Sequence, residues 1–267
     1  MKEAVLHGVD FSGSRYHARK IWISTWSGKG AAAVQGGFTH SELVRFIEQC
    51  DRDGAKHCFL IDTVFALPIE LLRLHGVEPQ WDKQAAWLAS FPSPEAWREA
   101  CRKKTHLEPK RLTDRLAHTP FAPANVRMYM QTWHGIVSVL RPLRKKRNVA
   151  ILPFDAAART RRWQKCTVWV GEGCPASFLR AAGWPARGYK GKSESAKQLR
   201  TKILELLECE EGIAVPESTA RLVISQAGAD ALDSLLLLPG VRRFETVDHV
   251  EILRKAEEVA TEGWIYF

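Results

Sequence analysis

Five carboxylates stand where the pattern of the chain changes, and they are the residues best placed to do chemistry. Asp10 directly follows a short apolar run in GVDFSGS, and Ser12, Gly13 and Ser14 after it leave backbone amides open to an anion. Asp62 repeats the arrangement after HCFLI, in FLIDTVFALP. Asp230 and Asp233, in AGADALDSLLLL, are three residues apart and share one face of a predicted helix. Glu172 follows a β-branched and aromatic run in VWVGEGCP. Singly, each has an ordinary reading: a turn aspartate beside glycine, a loop carboxylate, or an acid favoured by a helix macrodipole. Jointly they say more. If the strands ending at Asp10 and Asp62 are neighbours, two like charges lie close together and one pKa rises unless a cation sits between them. Oxygen-only ligands select a hard divalent ion, Mg2+ or Mn2+.

The elements that must position these acids can be read from periodicity. Ala4 to Val9, Lys20 to Trp26 and Ala31 to Phe38 read as three strands of an antiparallel meander, turning at Gly28 to Gly30. Ser41 is the expected N-cap of a helix whose Leu43, Val44, Phe46 and Ile47 share a face, closed by Asp53-Gly54. His57 to Ile61 is a fourth strand, parallel to the first by a right-handed crossover. From about 68 to 145 the pattern is helical and punctuated by proline, an inserted layer in which Trp81, Trp87, Trp97 and Trp133 read as core. Thr167 to Gly171 is a fifth strand; Pro175 to Ala182, Ser195 to Leu207 and Ala227 to Leu238 are helical, and EGWIYF is strand-like. The order predicts an α/β chain with a mixed five-stranded sheet flanked by helices, one domain over 1–267.

Composition narrows the function classes. A chain of 267 residues, 45% hydrophobic and 26% charged, is expected to be globular rather than disordered or disulfide-stapled. No apolar run reaches the roughly 20 residues of a membrane span, and the start turns polar before a secretory segment could form, so a cytoplasmic protein is expected. The six cysteines form no C-x-x-C pair; reduced thiols are expected, with no structural zinc and no disulfide-linked partner. Cys174, ahead of a predicted helix, is a candidate for a helix-lowered pKa but lacks a basic partner. The histidines, His7, His134 and His249 among them, are scattered and read as packed or exposed. The net charge of +9 is unevenly distributed: Trp97 to Lys202 carries 24 Lys and Arg against 6 Asp and Glu, the remainder 15 against 24. Such a basic middle attracts polyanions, nucleic acid first among them, although a solvated face has the same composition.

GVDFSGS, LIDTVFALP, the R-x-x-D-R run of Arg111, Asp114 and Arg115, DALDSLLL and the terminal EGWIY, in that order, resemble the family called domain of unknown function four-two-nine, predicted nucleases of the RNase H-like fold. The resemblance implies an RNase H-like sheet with acids at Asp10, Asp62 and Asp233, with Asp230 as the neighbouring acid and Glu172 near the fifth strand. Thr63 and Val64 depart from the family's apolar residue and proline, and GEGCP departs around Glu172. The implied chemistry is two-metal phosphodiester hydrolysis, with the ions about 4 Å apart. Arg111, Arg115, Lys190, Lys192, Lys197 and Arg200 are the expected backbone contacts to nucleic acid. Two rival readings are a non-catalytic scaffold binding nucleic acid or a partner protein, and an actin-like phosphotransferase, for which GVDFSGS resembles the first phosphate loop. No Walker, dinucleotide-binding, HExxH or GxSxG motif is present.

Overall fold

A computed structural model describes residues 3–13, 19–157 and 161–267, with the side chain of Arg161 also left aside; Ser14 of the first loop lies outside them. Seven strands form one mixed sheet: β1 (Val5–Asp10), β2 (Ile21–Trp26), β3 (Ala33–Phe38), β4 (His57–Ile61), β5 (Val149–Ile151), β6 (Val168–Gly173) and β7 (Ile265–Tyr266). The spatial order is β3-β2-β1-β4-β6-β5, with β7 beside β6. β1, β2 and β3 are antiparallel; β4, β5, β6 and β7 join in parallel. The general α/β class and the mixed sheet agree with the sequence reading. Five strands was too few: β5 is only three residues long and follows a basic stretch, so it gives almost no alternation to read.

The sheet carries a core on each face. Leu6, Cys58, Leu60 and Trp169 face the helices Glu194–Glu211, Asp230–Leu236 and Leu238–Thr246. Val9, Phe59, Ile61, Val168 and Val170 face the helix His40–Cys50 and the helical layer between β4 and β5, where Trp81 and Trp97 are buried and Trp87 and Trp133 are packed against them. The period of two along each strand makes this division, and it assigns every strand-end carboxylate to one face or the other.

Caps account for several helix ends. The helix His40–Cys50 is capped by Thr39 rather than Ser41: Thr39 Oγ1 accepts from the Glu42 amide at 3.2 Å while Glu42 Oε2 accepts from the Thr39 amide at 2.8 Å, a reciprocal capping box. Ser193 caps Glu194–Glu211, which ends at Gly212 in the left-handed region. The expected single helix over Ala227 to Leu238 is two, Asp230–Leu236 and Leu238–Thr246, because Pro239 lacks the amide that a continuous helix needs. All six cysteines are free, and among the described residues no helix is long and apolar enough to cross a membrane.

Candidate functional site

Asp10 and Asp62 end adjacent parallel strands. The pairing runs from Val5 with His57 to Val9 with Ile61, and the Asp62 amide donates to the Val9 carbonyl at 2.9 Å, so the two aspartates leave the sheet side by side. Gln131, on the helix Tyr129–His134, ties the two strand ends together: its Nε2 donates to the carbonyls of Asp62 at 2.5 Å and Phe11 at 3.1 Å.

The helix Asp230–Leu236 reaches this edge because Gly8 lets it. A Cβ on Gly8 would lie 2.1 Å from the Ser234 carbonyl oxygen, so the helix backbone rests directly on β1. Ser24 and Ser234 hydroxyls hydrogen bond at 2.6 Å in the same contact. The helix starts from Ala229, whose φ of +63° is unfavourable for a residue with a Cβ. Gln226 Oε1 accepts from the Ala231 amide at 2.7 Å and holds this start in place. Asp233 is thereby buried beside Asp10, with Asp230 one turn away at the pocket rim.

The electrostatics show how closely the acids are drawn together. Burial, then Asp233, Asp62 and Asp230, push the Asp10 carboxyl well above the usual range, and Lys190 opposes them. Burial and Asp233 push Asp62 up to about 7. Burial also raises Asp233, against the pull of Lys190 and Tyr189. Asp233 Oδ1 accepts from the buried Tyr189 hydroxyl at 2.9 Å, and its Oδ2 meets the Lys190 ammonium at 2.5 Å. Tyr189 and Gln131 carry no motif of their own, and their sequence neighbours give no signal that either would be drawn to the acids.

Asp10, Asp62 and Asp230 floor a pocket of about 470 Å³, with Lys20, Arg127 and Lys190 at its margin and Ser12 and Gly13 in its wall. A second pocket of about 270 Å³ shares Asp62, Gln131 and Lys190 with it and adds an apolar wall that includes Phe121, Met128 and Pro175. The donor set at the floor is oxygen only, and the mutual repulsion that raises these carboxyls is what a bound cation would relieve. Both features fit a hard divalent cation. The acids are not a closed ligand shell: among the described residues, the side chains that bring three ligand atoms within 4.8 Å of one another are His7, Cys50 and His57.

Several expected site residues have other roles. Glu172 shares the strand face of Val168 and Val170, under the helical layer, and although it lines a pocket with Asp62 and Asp233 its carboxylate is engaged elsewhere. There its carboxylate accepts from Arg111 Nη1 at 2.7 Å and Nη2 at 2.5 Å and from the Phe65 amide at 3.0 Å. Arg111, fully buried, also holds Asp114 through Nε at 3.0 Å and Nη2 at 2.8 Å, so it cannot reach a nucleic-acid backbone. Arg200 is likewise buried and spends its donors on the carbonyls of Ile224, Tyr189 and Gly191. Lys190 belongs to the acid cluster, and Lys197 pairs with Glu194 at 3.1 Å. Arg115 and Lys192 are exposed. Cys174 stands at the N-cap position of the helix Pro175–Ala181 without a side-chain cap, and burial pushes its thiol up to about 12, opposite to the direction a reactive thiolate needs. No family model, curated protein or solved structure matches the chain.

Proposed function

We propose that this chain is a metal-dependent nuclease of RNase H-like architecture that hydrolyses phosphodiester bonds in nucleic acid. One observation carries the reading: three carboxylates spread over more than two hundred residues of sequence meet at one edge of the sheet, two of them flooring a pocket with a cationic margin. The antiparallel β3-β2-β1 meander continued in parallel by β4 supports the RNase H-like assignment, as does the resemblance carried by GVDFSGS and DALDSLLL.

Asp10, Asp62 and Asp233 would hold Mg2+ or Mn2+, with Asp230 beside them; bound there, such ions lower the pKa of water and stabilise a leaving oxygen. The chain's own groups bind and orient. Lys20 and Arg127, exposed at the margin, attract phosphate oxygens, and exposed Arg115 and Lys192 add positive field. Tyr189 fixes the orientation of the Asp233 carboxylate through its hydroxyl proton. Gln131 fixes the backbone from which Asp62 projects. The apolar pocket beside Asp62 suits a base or sugar.

The test is manganese-dependent cleavage of end-labelled DNA and RNA by wild type, Asp10→Asn and Asp62→Asn, with calorimetric titration of Mn2+ alongside. Cleavage by wild type that both substitutions abolish supports the proposal; activity surviving both overturns it. The Lys190–Asp233 ion pair favours a second reading, a scaffold that binds nucleic acid without cutting it, since an internal ammonium already neutralises one of the acids. Nucleic-acid binding without Mn2+ uptake in wild type selects that reading.

A further inference from the structure

The face of the sheet opposite the Asp233 helix carries a second constellation, independent of the nuclease reading. His7 projects from β1 and His57 from the start of β4, both buried, and Cys50 ends the helix His40–Cys50. One ligand atom from each lies within 4.8 Å of the other two. We propose that His7 Nε2, His57 Nδ1 and Cys50 Sγ form a binding site for a borderline-soft divalent metal, zinc above all, that pins β1, β4 and the end of this helix together.

The ring nitrogens facing away from the cluster support this reading. His57 Nε2 lies 3.0 Å from both Asp53 carboxylate oxygens, which only accept, so the ring proton sits on Nε2 and the Nδ1 lone pair points at His7. His7 Nδ1 lies 3.0 Å from Thr25 Oγ1, a hydroxyl that serves as donor or acceptor. Without metal, His7 Nε2–H donates to His57 Nδ1 at 2.9 Å and His7 Nδ1 accepts from Thr25. With metal, the His7 proton relocates to Nδ1 and is donated to Thr25, leaving both inner nitrogens with free lone pairs, and the Cys50 thiol releases one proton to solvent. A carboxylate holding the outer nitrogen of a histidine ligand is the usual support for a bound metal.

Charge and shape agree. One thiolate and the Asp53 carboxylate balance a 2+ ion. The His7 ring stacks on Phe59 at 4.1 Å and meets Phe46 edge-on at 5.6 Å, a dry wall on one side. Two nitrogens and a sulfur select Zn2+ over Mg2+, the reverse of the oxygen-only set at the Asp10 edge. Asp53 is engaged by His57 and by the Ala55 amide at 2.8 Å, so the fourth position falls to water.

Co2+ reports the site directly, because a thiolate ligand gives a charge-transfer absorption that carboxylates and imidazoles do not. Purified protein, stripped with chelator, is titrated with Co2+ and then Zn2+ in a Cys209→Ser background, which removes the exposed thiol. The expected result is one equivalent of Co2+ with a thiolate band, displaced by Zn2+, and a rise in Tm with Zn2+. Cys50→Ser leaves the histidine chain intact and should fold; it loses the band and the Tm rise. Asp53→Asn should weaken Zn2+ binding about 10- to 100-fold while keeping the band. Asp10→Asn should leave all of this unchanged, which separates the site from the acid cluster. A wild type without the band, or a band that persists in Cys50→Ser, overturns the proposal.

Discussion

At the scale of single residues, the acid cluster ties stability to pH with a definite sign. Asp62 titrates at about 7 in the folded chain, because burial and Asp233 disfavour its charge, but near 4 once unfolded. Between those values the folded chain holds a proton that the unfolded chain has released, so this group's contribution to stability is lost as pH rises toward 7. His249 and His7 act oppositely: burial holds them neutral down to about 4 and 3, so below about 6.5 they cost stability as pH falls. The informative quantity is therefore a difference. In metal-free buffer, the urea midpoint of Asp62→Asn should gain on wild type as pH is raised from 4.5 to 7.5 (about one reading per half unit); parallel curves would remove Asp62 as the cause. Lys190→Met takes the only cation off Asp233 that the cluster contains among the described residues, and should tighten Mn2+ binding measured by calorimetry. Unchanged or weaker binding would mean that Lys190 is not competing for the site.

At the scale of elements, the site depends on a helix lying against a strand with no side chain between them. Gly8→Ala would set a methyl into the Ser234 carbonyl, and either the helix Asp230–Leu236 lifts or β1 bends. Overpacking of this kind costs about 1–3 kcal/mol, and the lift carries Asp233 away from Asp10. A drop in Tm together with lost Mn2+ binding is expected; lost stability with intact metal binding would show that the acids do not need this contact. Gln131→Ala is the milder counterpart. It frees the Asp62 and Phe11 carbonyls from their shared donor and should reduce cleavage more than stability, measured side by side.

At the scale of the whole molecule, the helical layer is bolted to the sheet by a buried ion cluster in which Arg111 grips Asp114, Glu172 and the Glu262 carbonyl. The Glu262 carboxylate closes the same corner by accepting from the Ile69 and Leu112 amides. Removing the guanidinium alone strands two buried acids, and Arg111→Met should cost about 3–5 kcal/mol. Replacing Asp114 and Glu172 with leucine in the same chain should restore much of that loss, read from urea midpoints. A triple variant no better than the single one would show that geometry, rather than uncompensated charge, sets the penalty.

The sequence alone determined the elements whose signal is local. Short apolar runs marked β1 and β4 and alternation marked β2, the acids at the ends of β1 and β4 could be named because each follows such a run, and Leu43, Val44 and Ile47 marked a helix by sharing one face. It could not decide which basic residues meet solvent. Arg111 and Arg200 look like Arg115 in sequence, yet long-range pairing with Glu172 and with the Ile224 carbonyl buries them, and burial is a property of the folded surface. Nor could it bring Tyr189 and Gln131 to the acids, or His7, His57 and Cys50 to each other, since those meetings follow from strand register and helix docking. Local patterns set what each segment becomes; only the packing of segments, through glycine contacts and buried charge pairs, decided which side chains share a site.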